Sequence, residues 1–226
     1  MAKALVLSDV SRRFGAVPVL TDLSVEIPLE GITFVVGKSG SGKSVLCRLA
    51  VGLLKPDTGT VTLLGERVDT LPERKLAQLR AQVPYLVQGP ALLDWLTLAD
   101  NVALPDPRAK TDGRVQEALE RVGLTPFASR FPPEVGPGIR KRAAIARALV
   151  LAPQALLLDE PTTGLDREAA GQVNETLAML RRQGLAAIVV SHDYAALQLL
   201  ADRVVEISRG QIGYCGPKAG FSGALS

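Results

Sequence analysis

Residues 37–44 combine glycines, a lysine and a serine in the order G-x-x-x-x-G-K-S, which is typical of phosphate-binding loops. The apolar residues 34–36 precede the pattern, and apolar residues at helical spacing follow it. A strand that delivers the chain, glycines that let backbone N–H groups converge and a helix N-terminus together favour an anion. The pattern therefore predicts a nucleotide phosphate site formed by Gly37, Lys38, Ser39, Gly40, Ser41, Gly42, Lys43 and Ser44.

Two side chains of the loop have specific expected roles. Lys43 is expected to reach the β- and γ-phosphates, and the Ser44 hydroxyl is expected to hold Mg²⁺. Lys38 has two interpretations, since its charge can lie near the nucleotide or its long side chain can face solvent; solvent is the favoured one.

Two adjacent carboxylates, Asp159 and Glu160, end a second apolar run at residues 155–158. Ligands of open parallel sheets bind beyond the carboxyl ends of the strands. Asp159 is therefore expected beside the Mg²⁺, and Glu160 is expected to accept a proton from an attacking water. A solvated acidic turn is the alternative, but phosphoryl transfer needs few groups, provided that they are well placed. Beside a phosphate loop, the catalytic interpretation is favoured.

The composition limits the function classes. Hydrophobic residues make up 47% of the 226, which is enough for a sizeable core, and a net charge of +3 is too small to indicate nucleic acid or a membrane surface. No apolar run approaches the ~18 residues of a spanning helix, and the start of the chain does not resemble a signal peptide. Cys47 and Cys215 lack metal-ligand spacing and fit a reduced compartment. We expect a soluble chain unless a partner holds it at a membrane.

Several segments must position these residues. Residues 32–36, 155–158 and 186–190 have the length and apolar character of strands buried on both faces, which predicts a parallel sheet covered by helices. Helices are predicted around residues 115–122 and over Arg167–Arg182. Residues 5–10, 17–27 and 61–64 resemble strands separated by turns and predict an antiparallel part. The proline-rich stretch 89–149 is predicted to be a helical lobe inserted in the α/β core.

Four motifs occur in the order and spacing of the ABC-transporter ATPase family: the phosphate loop and residues 159–161, 164–166 and 191–193. Residues 140–149 resemble the helix that follows that family's signature motif, and the resemblance spans roughly residues 5–213. It implies an α/β P-loop NTPase fold, with a RecA-like parallel-sheet core, an antiparallel β subdomain and an inserted helical subdomain. It also implies that ATP and Mg²⁺ are bound. The expected single domain spans 1–226, with the core at about 1–88 and 150–213, the helical subdomain at about 89–149 and a short C-terminal tail at 214–226.

The resemblance also implies roles for single residues. His192 falls at the family's switch histidine, which contacts the γ-phosphate, although a lone histidine is often structural. Gln88 matches the glutamine that senses Mg²⁺ and couples to the transmembrane partner; an ordinary polar strand end is the alternative. Asp166 matches the loop that crosses the dimer interface. Phe14 matches an aromatic that stacks on adenine, with simple packing as the alternative. The implied catalytic set is Glu160, His192, Lys43 and Gln88, and the implied metal set is Ser44, Gln88 and Asp159.

The signature motif itself departs from the family pattern. Leu-Ser-Gly-Gly-Gln aligns with residues 135–139, where Gly136 lacks the serine hydroxyl, Pro137 lacks an N–H and Gly138 is retained. In the family, this segment closes over the nucleotide of the other subunit. Proline suits the first position of a helix, so the helix from Ile139 can still direct its dipole at a phosphate. Two interpretations stay open: a slow homodimeric ATPase, or a subunit that needs a partner's intact signature.

The branch of the family is predicted from residues 93–105 and 40–46, which resemble Mla/Mkl-type ATPases of phospholipid transport with MCE-domain proteins. The expected partners are a transmembrane permease, a second ABC ATPase protomer and an MCE-domain protein, with no nucleic acid. Another importer or exporter is the alternative, as is a nucleotide-binding regulatory module without turnover. Expected localisation is cytoplasmic, peripheral on the cytoplasmic face of the inner membrane. Residues 89–102, with Trp95 and Leu96, are expected to dock the permease, unless Trp95 is buried in the helical lobe.

Overall fold

The computed structural model describes residues 3–223, so the first two and last three residues of the expected 1–226 domain lie outside the described residues. The strands are β1 (Ala4–Phe14), β2 (Val17–Pro28), β3 (Ile32–Val36), β4 (Thr58–Leu63), β5 (Glu66–Arg67), β6 (Tyr85–Leu86), β7 (Ala155–Asp159), β8 (Ala186–Val190), β9 (Arg203–Ser208) and β10 (Gln211–Pro217). The α-helices are α1 (Lys43–Ala50), α2 (Glu73–Gln82), α3 (Leu98–Ala103), α4 (Arg114–Arg121), α5 (Pro137–Leu149), α6 (Arg167–Arg182) and α7 (Tyr194–Leu200).

Two sheets form the framework. The larger has the order β10-β9-β3-β8-β7-β6, in which β10 is antiparallel to β9 and the other neighbours are parallel. The smaller is antiparallel, with the order β2-β1-β4-β5. The predicted α/β fold with a parallel core and an antiparallel part is therefore confirmed. The three apolar runs are β3, β7 and β8, and every residue of each is buried.

The core lies on both faces of the larger sheet. Alternate residues of β3 illustrate this, because Phe34 packs into a cluster with α3, α4, α5 and α6. Its neighbour Val35 packs on the other face, against α1, α2 and the smaller sheet. Helices and the second sheet thus cover both faces, as a parallel sheet requires.

The boundaries of some elements differ from the predictions. Residues 214–217 do not start a tail, because β10 continues through Pro217 and pairs with β9. The helix after the signature starts at Pro137 rather than at Ile139, since proline lacks only an N–H that the first turn leaves unused. Residues 89–97 precede the first helix of the expected helical subdomain. The limits of the subdomains stay a prediction.

Within residues 3–223, the structure contains no helix that is both long and apolar enough to cross a membrane.

Candidate nucleotide-binding site

The phosphate loop joins the end of β3 to the start of α1, at the carboxyl edge of the parallel sheet. Gly42 has a φ of 103°, and a Cβ at this position would lie 2.5 Å from Leu20 Cδ2, so only glycine fits without displacement. Gly42 provides no side-chain cap for α1. The first N–H groups of the helix, which have no intrahelical acceptor, are therefore free for an anion in the cleft.

Lys43 lies across the loop with its ammonium turned back on the chain. Its Nζ donates to Gly37 O at 2.8 Å and to Lys38 O at 3.0 Å, and the side chain is buried. In this position the charge is fixed beside the glycine-rich turn. An anion bound in the loop would lie close to the Lys43 ammonium and be attracted by its positive charge.

Ser41 offers a test of whether the loop suits a phosphate. Its Oγ is buried and has no hydrogen-bond partner among the residues that the structure describes. Buried polar atoms are nearly always satisfied, and an unpaired one in a glycine-rich loop beside a lysine is consistent with a ligand. The loop therefore fits a bound phosphate group.

Ser44 and Asp159 meet where the expected metal would bind. Ser44 Oγ donates to Asp159 Oδ1 at 3.1 Å, and Tyr85 Oη donates to Asp159 Oδ2 at 2.8 Å. Burial and the hydrogen bond to Asp159 raise the pKa of Tyr85, so the phenol remains a donor. Magnesium is usually held by one or two carboxylates together with substrate phosphates. The Ser44–Asp159 pair beside the loop fits that requirement.

A complete protein cage for a metal is not formed. No group of three or more His, Cys, Asp and Glu side chains within residues 3–223 could hold an ion. A cation at Ser44 and Asp159 would therefore depend on phosphate oxygens for further ligands. Metal and nucleotide are expected to bind together.

Glu160 is held in a conformation that is unusual for a residue with a side chain, with a φ of 51°. Its N–H donates to Val190 O at 2.8 Å, and its Oε2 accepts from Thr163 Oγ1 at 3.0 Å. Oε2 also lies 2.9 Å from His192 Nδ1. Strained residues persist where their surroundings fix them, and they are concentrated at functional sites. The contacts direct this carboxylate into the cleft.

One open cleft of about 620 Å³ gathers the predicted groups. Its lining comprises Val19, Gly37, Ser39, Gly40, Gly42, Lys43, Ser44, Val45, Gln88, Glu160, Thr163 and His192. Gln88 and His192 are exposed there. The phosphate loop, a carboxylate, a histidine and an amide thus face the same space, although they come from four separate parts of the chain.

Gly136, Gly138 and Asp166 lie elsewhere, at the N-termini of α5 and α6. A Cβ at Gly138 would lie 2.9 Å from Ala169 Cβ, so the two helix starts approach closely. Asp166 caps α6 by accepting from Ala169 N at 2.8 Å. None of the three lines the cleft described above. The signature segment and the Asp166 loop instead form a second surface.

The remaining loop and adenine candidates are exposed. Lys38 faces solvent, and the described side chain shows no contact that would hold its charge in the cleft. Phe14 ends β1, 44% of the residue is exposed, and Arg12 Cζ lies 5.1 Å from its ring centroid. The cleft lining does not include Phe14. Its adenine-stacking role stays a prediction.

Three residues that contact the site were missed from the sequence. Tyr85 contacts Asp159 from the neighbouring strand, Thr163 contacts Glu160, and Lys141 donates to the main-chain carbonyl of Gln88. Tyr85 looks like an ordinary strand residue and Lys141 like one of several helix cations, so neither gives a signal. Thr163 lies only three residues after Glu160, so a turn between them would have predicted that the two side chains are close.

Comparison with known proteins identifies the family. A family model described as "ABC transporter" matches residues 20–163, more than half of the chain. The methionine import ATP-binding protein MetN of Mesorhizobium japonicum is 37% identical over 217 residues, which cover 93% of this chain and 60% of MetN. The sulfate/thiosulfate import ATP-binding protein CysA of Mycobacterium tuberculosis is 35% identical, over 94% of this chain and 61% of CysA. The chain thus spans about 60% of the length of these relatives.

Solved structures agree on the fold. The ATP-binding cassette MJ0796, described as a dimer in a post-hydrolysis state bound to ADP and Pi, matches with a TM-score of 0.83 and 27% identity. That match covers 96% of this chain and all of that chain. cbiO1 from Clostridium perfringens, part of the cbiONQ transporter complex, matches with a TM-score of 0.87 and 25% identity, over 96% and 89% of the two chains.

Proposed function

The chain belongs to the ABC transporter family, and we propose that it binds and hydrolyses Mg-ATP to drive a membrane permease. The observation that carries the proposal is the single cleft where the phosphate loop, the Ser44–Asp159 pair, Glu160 and His192 come together. Each group has a different chemical task there, and phosphoryl transfer needs this combination of positioning and charge.

Several residues in and beside the cleft receive a role in the proposed hydrolysis. Lys43 and the first N–H groups of α1 would hold the phosphates, while Ser44 and Asp159 would be ligands for Mg²⁺. A divalent cation, when bound, neutralises negative charge on the phosphate oxygens. Glu160 accepts the proton of the attacking water, and Thr163 together with His192 fixes the orientation of its carboxylate.

The second surface supports assembly with another ABC protomer. Gly136, Gly138 and Asp166 lie at the starts of α5 and α6, outside the cleft of their own chain. Their proposed ligand contacts therefore require a second subunit, in a homodimer or a heterodimer. The dimeric state in which MJ0796 was solved is consistent with this proposal.

Trp95 supports a docking surface for the permease. The residue is 73% exposed, so the alternative that it is buried in the helical lobe is wrong, whereas Leu96 is only half-exposed. The loop that presents it is built on the fully buried Asn101, whose Oδ1 accepts from Leu93 N and whose Nδ2 donates to the carbonyls of residues 93, 96 and 97. An exposed indole on a rigid loop is typical of an interface anchor.

A groove beside Gln88 is a second candidate for the docking surface. It has a volume of about 190 Å³ and is lined by Pro84, Tyr85, Leu86, Val87, Gly89, Pro90, Ala91, Pro105, Ala144, Arg147, Ala148 and Leu151. The exposed Val87 lies on its edge. We therefore propose that residues 87–105 contact the permease and that the protein binds at the cytoplasmic face of a membrane.

The relatives favour import of a small polar solute. Their names describe methionine import and sulfate or thiosulfate import. The expected Mla/Mkl branch, phospholipid cargo and an MCE-domain partner gain no support from them, and the alternative of another importer is the better one. Methionine and sulfate are both small charged or zwitterionic solutes, and cargo of that kind is the proposal for this chain.

The test of ATP hydrolysis uses the full chain. Phosphate release from ATP should require Mg²⁺ and should stop when EDTA is added, because Ser44 and Asp159 alone do not complete a metal site. Binding of ATP without any release, even with a membrane partner present, would contradict an ATPase and favour a regulatory nucleotide-binding module.

The docking test compares two exposed apolar residues. Trp95→Ala should abolish co-purification with a membrane partner and leave thermal stability unchanged, because its side chain is outside the Asn101 hydrogen bonds. Leu199→Ala on α7 is the matched control, since Leu199 is 63% exposed. Equal loss of the partner in both variants, or none in either, would contradict docking through Trp95.

A further inference from the structure

Lys141 is a buried cation on the inner side of α5, near the nucleotide cleft. Only 9% of the residue is exposed, and no Asp or Glu of residues 3–223 forms an ion pair with it. Buried lysines are rare unless they are paired, because an ammonium loses its hydration in the interior. The acceptors of Lys141 are main-chain carbonyls: its Nζ donates to Gln88 O and, at 3.4 Å, to Glu160 O.

These two carbonyls follow the ends of the neighbouring strands β6 and β7. Tyr85 pairs with Leu157 and Leu86 pairs with Leu158 in the parallel ladder of β6 and β7. Extending this register by two residues puts Gln88 opposite Glu160, just beyond the ladder, and Lys141 Nζ donates to both of their carbonyls. Glu160 O also accepts from Thr163 N at 3.3 Å. The ammonium therefore joins two segments at the point where sheet hydrogen bonding stops.

Both segments face functional surfaces. Gln88 and Glu160 line the nucleotide cleft, while the residues directly after Gln88 line the groove proposed to contact the permease. Burial lowers the pKa of Lys141, and the carboxylates of Glu160 and Asp159 oppose that shift by favouring its charged form. A single buried cation thus contacts the catalytic loop and the start of the docking segment.

We propose that Lys141 is a positioning residue that ties the Gln88 segment to the Glu160 loop, so that docking at the groove and the orientation of the catalytic carboxylate are coupled. The inference rests on the proposed ATPase function. Lys141 does not line the cleft. Its effect on hydrolysis therefore acts through the main chain of Glu160, whose side chain is held in turn by Thr163 and His192.

Arg142 is the matched control. It is the next residue of α5, and its guanidinium donates to Val122 O and to Gln172 Oε1, both at 3.1 Å and both away from the cleft. Arg142→Met removes a partly buried cation from the same helix, whereas Lys141→Met removes the one that joins the two segments. The two variants separate general packing from positioning.

The first measurement is amide hydrogen exchange of the nucleotide-free full chain. In Lys141→Met, exchange should rise about 10-fold in peptides covering 87–91 and 160–164 together, because both lose the same donor. Arg142→Met should leave both peptides unchanged. Lys141→Gln keeps an N–H donor and should give a smaller rise in both peptides, which keeps the test available if Lys141→Met does not fold.

The second measurement is hydrolysis of Mg-ATP by the same variants. Lys141→Met should lower kcat about 10-fold and change the Kd for ATP by less than 3-fold, and Arg142→Met should change neither. A rise in exchange confined to one peptide, or equal effects in Arg142→Met, would overturn the proposal. An inactive wild-type protein would contradict the ATPase function, while the exchange result would still decide the contacts of Lys141.

Discussion

The N-termini of α1 and α5 have the same uncapped backbone but different side chains around them. Neither α1 nor α5 has a side-chain cap, and each starts after a glycine. At α1 the Lys43 ammonium and the Ser44–Asp159 pair lie close to the free N–H groups. At α5 the first positions are Gly136 and Pro137, which provide no hydroxyl and one N–H fewer. Both helix N-termini therefore have the favourable helix dipole. They differ in the side chains around them, because the Lys43 ammonium and a pair of metal-ligand candidates lie near the start of α1.

The two glycines at the start of α5 differ in whether the packing around them leaves room for a side chain. Gly138 has no room for a Cβ, since Ala169 lies against it. Gly136 has an ordinary φ of −67°, and a Cβ there would meet no atom within 4 Å. Packing thus requires glycine at 138 only. The fold permits a serine at 136, so the missing hydroxyl is not imposed by the architecture of this chain.

The largest expected effect is at the carboxylate beside α1. Glu160→Gln should lower kcat by ~10²-fold or more, because a positioned general base contributes that much. ATP binding, measured by equilibrium titration, should be retained because the loop and Lys43 are unchanged. Near-normal turnover would remove Glu160 from the role of base.

Lys43 tests the charge at the same helix start. Lys43→Ala should weaken ATP binding about 10- to 100-fold, since hydrogen bonds to charged groups contribute about 1.5–3 kcal/mol each. Lys38→Ala is the matched control, because this lysine of the same loop is exposed to solvent. The Kd of this variant for ATP should stay within ~2-fold of the value for the unmutated protein. Equal weakening in both variants would show that the charge of Lys38 also acts on the nucleotide.

Restoring the second helix start separates the two catalytic interpretations. If residues 136–139 are defective, the combined change Gly136→Ser, Pro137→Gly and Ile139→Gln should raise the ATPase rate of a homodimer several-fold, because transition-state charge gains donors. If the natural segment is an adapted signature, the change should have little effect, since Pro137 already suits the first helical position. Low activity in both proteins that only another ABC ATPase rescues would rule out a working homodimer.

The smallest effect concerns packing at α5. Gly138→Ala should lower the free energy of unfolding by ~1–3 kcal/mol, because the added methyl meets Ala169. Gly136→Ala should change it by less than ~0.5 kcal/mol, since that position is open and exposed. Thermal unfolding measures the stability of both variants. Equal stability would contradict the prediction, because it would mean that α6 can move away from the added methyl group without loss of folding free energy.

Local patterns predicted much of the site. The phosphate loop, the strand that ends at Asp159 and the helix Arg167–Arg182 each depend on residues close together in the chain, and the structure has all three. The start of α5 lies at Pro137, two residues before the predicted start at Ile139, because the signature motif and the first helical turn overlap there. Trp95 could not be assigned from the sequence, since a lone tryptophan fits a core as well as an interface.

What the sequence determined by itself is the family, the phosphate loop and the buried strands β3, β7 and β8, because backbone propensity and apolar spacing act over a few residues. The tertiary structure decided which distant groups meet. Tyr85 reaches Asp159 across 74 positions of sequence, and Lys141 reaches Gln88 across 53. Such contacts follow from strand register and from helix packing on the sheet, so a tyrosine or lysine shows its role only when parallel strands bring their carboxyl ends to one edge.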